Sequence, residues 1–219
     1  MRNRIKAVLR SMAPLCGAVI LTAFGGYVPS ALGNNATGTP AAAGSTAVRD
    51  GSHDFDFLYG KWMMPNHRLK KRLAGSNEWE DFVSYDECQP LPGGIGNEDF
   101  FKTDHWKDFT GVTVRTYDKA TGLWRLYWVD NYFSGGVIEA PVVGKFVGNV
   151  GVFEAPDTFD GKPIIVRFTW TVNPKGSRAV ANWEQAFSAD GGKTWEINWK
   201  NEIIPMGDAD FARHFGPGI

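Results

Sequence analysis

Between residues 61 and 204 the chain is a succession of short segments in which apolar and polar side chains alternate, with hardly any helical period between them. They fall at roughly 61–72, 79–89, 97–103, 111–118, 123–130, 141–147, 150–155, 163–172, 179–188 and 194–204. Between many of them lies a turn with explicit chemistry: AGSN at 74–77, DKATG at 118–122, DGK at 160–162, PKGS at 174–177 and ADGG at 189–192. In each of these, Gly stands with Asp, Asn, Ser or Pro, the residues that supply positive φ, a fixed φ or a side-chain acceptor to a hairpin. Alternation at period two buries one side of each segment, and connections this short join antiparallel neighbours. A meander of ten such strands has two exposed edges unless it closes on itself. The sequence therefore predicts an all-β fold, an up-and-down antiparallel barrel of about ten strands.

The strand region carries an unusual aromatic load, because the chain holds nine Trp, six Tyr and fifteen Phe. Ahead of it the first 33 residues are of another kind. Arg2, Arg4, Lys6 and Arg10 precede an apolar run from Met12 to Phe24, and Ala31-Leu32-Gly33 offers a small-x-small cleavage site. This is the pattern of a secretory signal peptide, and the run is short for a bilayer span. The expectation is an exported protein, periplasmic or secreted, with no integral membrane span after cleavage. Residues 34–52, rich in Ala, Gly, Ser and Thr, read as a flexible leader, 53–205 as the barrel domain and 206–219 as a C-terminal tail. Loss of residues 1–33 takes the formal charge from −1 to −5 and leaves Cys88 as the remaining cysteine. No intramolecular disulfide can then form, so the core itself holds the fold, with Cys88 expected as a small buried residue. Without a basic excess, nucleic acid is not an expected partner.

The stretch SADGGKTW at 188–195 has the Ser-x-Asp-x-Gly-x-Thr-Trp spacing of the Asp-box hairpin found in sialidase propellers. A propeller needs at least four repeated blades, and no internal repeat occurs. The motif is expected to act locally, Asp190 accepting from the turn backbone, Gly191 and Gly192 allowing positive φ, and Trp195 covering the hairpin. A wider resemblance rests on HDFDFLYGKW at 53–62, YDKATGLWRLYW at 117–128, VRFTW at 166–170 and WEQAFSADGGKTWEINW at 183–199. Together these resemble a bacterial family of lipocalin-like, calycin-type domains of unassigned function. The resemblance implies an up-and-down barrel around a central cavity and transfers no catalytic residue. A fatty-acid-binding-protein-like or nitrobindin-like barrel is equally compatible.

Alternation assigns the faces. Ile164, Val166, Phe168 and Trp170, then Trp183, Gln185 and Phe187, then Trp195, Ile197, Trp199, Asn201 and Ile203 form the greasier side and are expected inward. In the central hairpin the matching choice is Val112, Val114 and Thr116 with Trp124, Leu126, Trp128 and Asp130. Burial of each large side chain contributes about 1.5–3 kcal/mol, which fixes the sense of the whole face. An interior of this kind suits a hydrophobic or amphipathic small molecule, with Trp128, Asp130, Trp183, Gln185, Trp199 and Asn201 as the expected binding residues. The same residues also fit a filled core, since small barrels can be packed with side chains.

The opposite face collects Arg115, Arg125, Tyr127, Arg167, Glu184 and Asn198. As a wet outer wall it would hold cross-strand Arg–Glu pairs. Turned inward, Glu184, Arg167, Tyr127 and Arg115 would make the acid–base and anion-holding set of a cofactor-free isomerase, cyclase or hydratase. His53, His67, His105 and His214 are scattered without ligand spacing, so no metal is expected. No nucleophile elbow, phosphate loop or dinucleotide fingerprint occurs, and no cofactor is expected. The reading that follows is a binding protein that does not transform its ligand, with the enzyme as the alternative.

Overall fold

A computed structural model describes residues 49–215. The expected signal peptide over 1–33 and the leader as far as residue 48 lie outside these residues. The barrel is closed, with ten strands: β1 Gly60–Leu69, β2 Trp79–Pro90, β3 Gly96–Thr103, β4 Phe109–Asp118, β5 Leu123–Asp130, β6 Val142–Val147, β7 Val150–Phe159, β8 Lys162–Val172, β9 Ala181–Ser188 and β10 Glu196–Pro205. Each strand pairs antiparallel with its neighbours in sequence, and β10 returns to β1. This is the predicted meander. The last turn of expected strand 61–72 leaves the sheet after Leu69, and β7 extends four residues beyond the expected 155 to Phe159.

One end of the barrel is closed by the segment that precedes β1. Phe55 is fully buried, with its ring 5.0–5.7 Å from those of Trp124, Phe146, Phe153 and Trp170. The indole of Trp124 donates to the Gly51 carbonyl at 3.0 Å, and Gly51 N–H donates to the Tyr117 hydroxyl at 2.9 Å. Residues 49–52, read from composition as leader, are thus fastened to the barrel. After β10, helix α1 (Asp208–Phe215) buries Phe211 against the barrel wall near Lys61. Much of the stretch read as a C-terminal tail is thus an eight-residue helix.

The inward sides of β5, β8 and β9 are those expected: Trp124 and Leu126, Ile164, Val166 and Trp170, and Gln185 and Phe187 are buried. The face of β4 is reversed. Val112, Val114 and Thr116 point outward, while Phe109, Gly111 and Arg115 are buried. The hairpin register is the reason: Asp118 pairs with Leu123, so Arg115 stands opposite Leu126 and Tyr117 opposite Trp124. Residues directly opposite share a face, so burying Trp124 and Leu126 brings Arg115 in with them.

A second correction lies in β10, where the register shifts between Ile197 and Trp199. The extra residue of this bulge turns Asn198 inward, where it is fully buried, and leaves Ile197 38% exposed and Trp195 outside. Beyond the bulge Trp199, Asn201 and Ile203 regain the expected side, with Asn201 opposite Trp183 and Trp199 opposite Gln185. The Asp-box hairpin is built as expected. Asp190 accepts from Lys193 N–H, Thr194 N–H and Thr194 Oγ1, and hydrogen bonding led by Thr194 holds its carboxyl down at about 2.

Candidate functional site

The interior is layered along the barrel axis. Next to the aromatic plug lies a buried ionic group. Arg115 is ion-paired with Asp99 and donates to Asn97 Oδ1 at 3.1 Å, and Asp86 and Cys88 lie beside them. Burial, with the neighbouring Asp99 charge, raises the Asp86 carboxyl well above its ordinary range, so that it favours the neutral acid. Burial likewise raises the Cys88 thiol, which is inert in this setting. The hollow between Leu58, Trp62, Met64, Asp86, Asp99 and Trp170 measures about 10 Å³, room for a single water. The closed half is a filled core.

A layer of amides follows. Asn66 donates to the Met64 carbonyl at 2.7 Å and to Ser84 Oγ at 2.8 Å, and its Oδ1 accepts from Trp199 Nε1 at 2.9 Å and from Asn201 Nδ2 at 3.4 Å. Gln185 Nε2 donates to the bulged Asn198 Oδ1 at 2.8 Å. Two of the polar residues expected to orient a ligand, Gln185 and Asn201, thus bind protein side chains.

Toward the other end the barrel loosens. Strand β6 pairs with β5 at only three positions, Trp124 to Leu126, and from Ala155 onward β7 pairs with β8 alone. Over this stretch the wall between β5 and β7 consists of the connection 131–141, tied back by Glu139 N–H to the Trp128 carbonyl at 3.0 Å. Trp128 borders this connection, and inward aromatics of β8, β9 and β10 also keep contact with solvent. Trp128, Phe168, Trp183 and Trp199 all face in, and all are only partly buried. An inward side chain that still meets water marks an opening; Trp128 and Trp199 mark the open half as the candidate site, while Trp183 stands opposite Trp170 of the plug and lines a hollow over β1, β9 and β10.

Local chemistry positions its members. Trp128 lies flat across β4 because residue 111 is Gly, where a Cβ would meet the indole at 2.2 Å. Its Nε1 donates to Asp130 Oδ2 at 2.8 Å, while Asp130 Oδ1 accepts from the backbone N–H groups of Tyr132 (2.7 Å), Phe133 and Ser134 (3.2 Å). Asp130, expected as a ligand group, is therefore the anchor of the 131–134 turn. That turn holds Phe133 5.2 Å from Trp106 and 5.8 Å from Phe109 at the barrel mouth.

Arg68, opposite Trp199 across β1 and β10, also points inward. Its guanidinium lies 5.1 Å from the Trp106 ring and 5.2 Å from that of Trp199, and its Nη1 donates to Glu80 Oε1 at 3.0 Å. Arg68 and Glu80 were not among the expected site residues, although Trp62 and Met64, three and two steps back along the same alternation from Arg68, set the parity that brings them in.

The alternative acid–base set is not assembled. Arg167 pairs with Glu154 across β7 and β8 on the outer wall, and its guanidinium covers the Trp195 ring at 3.5 Å. Glu184 stands 3.7 Å from Lys200 on the outside, and Tyr127 is on the outer side of β5, opposite Val114. Arg115 alone of the four is internal. A larger hollow of about 440 Å³ over β1, β9 and β10 is lined by Asn66, Trp183 and Asn201 as well as by Glu184 and Lys200, and its charges are matched, Arg178 with Glu202 at 3.1 Å and His67 with Asp81 at 2.7 Å. Among the described residues no three His, Cys, Asp or Glu side chains gather to hold a metal, and no helix is long and apolar enough to cross a membrane.

Fold and site together define a closed ten-stranded up-and-down β-barrel, sealed at one end and aromatic at the other. No protein-family model and no curated protein matches the chain.

Proposed function

We propose that this barrel binds a hydrophobic or amphipathic small molecule in its open half and releases it unchanged, as an exported protein of lipocalin-like type. The observation that carries this reading is the set of inward aromatics, Trp128, Phe168, Trp183 and Trp199, that retain solvent contact, with Trp128 bordering the stretch of wall that lacks β6. Aromatic walls with a few fixed polar groups are what small-molecule sites are made of. The guest belongs to this half, because the closed half has room for about one water. Export is supported by the basic and apolar character of residues 1–24, and kinship with lipocalin-like domains by the motifs at 53–62 and 183–199.

Separation of Glu184, Arg167 and Tyr127 on the outer wall gives the enzyme reading no acid–base group in the barrel from that set. Native mass spectrometry of the protein purified from its own host tests the binding reading. The expected result is a co-purifying molecule whose release raises the solvent quenching of tryptophan fluorescence. Protein that is ligand-free from its host, and whose emission ignores added C12 alcohol, would remove the reading.

A further inference from the structure

Two arginines stand at the open end, and they differ in how they are matched. Arg68 has Glu80 on one Nη and indoles at its faces, yet its Nε is buried without a hydrogen-bond partner. Arg72, four residues on in the β1–β2 connection, reaches over the barrel mouth to rest on Phe159 at 4.8 Å and Phe187 at 5.5 Å. Among the described residues it makes no hydrogen bond or ion pair. The carboxylates nearby are otherwise engaged: Glu80 holds Arg68 and lies 3.5 Å from His105 Nε2, Glu196 accepts from Leu73 N–H at 2.6 Å, and Asp160 is exposed in the β7–β8 turn. Burial first, and then the Arg68 charge, draws the Arg72 guanidinium down to about 10. That is the behaviour of a cation set among rings beside a like charge, where an anion would be welcome.

We infer that the guest is an anionic amphiphile, with a carboxylate or sulfate head between Arg68 and Arg72 and its apolar part among Trp128, Phe168 and Trp199. The inference rests on the binding reading above and narrows it to one ligand class. A guanidinium meets a carboxylate or sulfate through two parallel N–H···O bonds, and with apolar rings on either side the pairing is stronger than it is in water. The unpartnered Arg68 Nε and the unpaired Arg72 supply donors without breaking the Arg68–Glu80 pair.

The experiment compares four probes of equal chain length, dodecanoate, dodecyl sulfate, dodecanol and dodecyltrimethylammonium, by calorimetry below their micelle concentrations. At least one anionic probe is expected to bind about tenfold tighter than dodecanol, and the cation more weakly than either. Arg72→Gln is expected to bring the anions to within about twofold of dodecanol, and Arg72→Lys to restore part of the preference. Equal binding of anion and alcohol by the wild-type chain, or a preference that survives Arg72→Gln, overturns the anionic assignment and leaves the binding reading standing. Failure of all four probes sinks both.

Discussion

At the sealed end Arg115 is enclosed by Asp99, Asn97 and the ring of Phe55, 5.3 Å away, whereas at the open end Arg72 lies on Phe159 and Phe187 with no ion-pair partner among the described residues. The same side chain has two uses. An enclosed guanidinium with a carboxylate against it holds the strands in one arrangement, and removing either partner leaves a charge stranded in low dielectric. A guanidinium on aromatic faces, open on one side, contributes less to the fold and keeps donors for a ligand. The contrast extends to the tryptophans: Trp124 is 1% exposed with its N–H on a backbone carbonyl, while Trp128 and Trp199 face the interior and still touch water. One end of the barrel is closed over its aromatics, and the other leaves inward tryptophans in contact with water.

The largest expected effect tests the sealed end. Phe55→Ala removes the ring at the centre of the plug and should lower unfolding stability by about 3–5 kcal/mol, read from urea unfolding. A loss below about 1 kcal/mol would mean that the segment before β1 is not part of the core. Next, Arg115→Met should cost about 3–5 kcal/mol, because Asp99 is left buried without its cation. The matching change at the other end, Arg72→Gln, should stay within about 1 kcal/mol of wild type. Equal losses from the two arginine variants would erase the distinction between the ends.

Asp86 sharpens the comparison through pH. Its carboxyl is raised in the folded chain and ordinary, near 3.8, in the unfolded one. As pH rises past that value the unfolded chain releases its proton first, so stability present at acid pH declines toward the raised folded value. Asp86→Asn removes the titrating group. The variant should match or trail the wild type near pH 4 and gain on it by about 1–3 kcal/mol toward neutral and alkaline pH. A gap between the two unfolding midpoints that is constant with pH would show that Asp86 does not enter the folded chain as the neutral acid. The smallest effect belongs to the outer wall, where Glu184→Gln loosens an exposed pair with Lys200 and should shift stability by no more than about 0.5 kcal/mol. A loss of several kcal/mol there would place Glu184 in a structural role that its exposure does not suggest.

The candidate site was legible in parts. Trp128, Trp183 and Trp199 were readable because a period of two in β5, β9 and β10 leaves one greasy side, and burial energy chooses it. Arg68 and Glu80 were hidden by the rule that charge belongs outside, a rule that a cross-strand partner suspends. Arg115 was hidden twice, by its charge and by the flanking Val112 and Val114, which made the wrong side of β4 look the greasier. Asn198 was hidden by a bulge, since one extra residue reverses the alternation that any pattern argument follows.

What the sequence determined by itself is local: ten strands from their alternation, the turns from Gly with Asp, Asn, Ser or Pro, and closure from the need to leave no edge unpaired. What only the tertiary structure decided is which charges are internal and where the barrel opens. Both depend on register between strands distant in the chain, which sets Arg68 beside Glu80 and Trp199, Arg115 beside Asp99, and lets β6 cover only the lower part of the wall next to β5. A side chain's neighbours along the strand fix its face, but its neighbours across the strands fix whether that face can hold a charge.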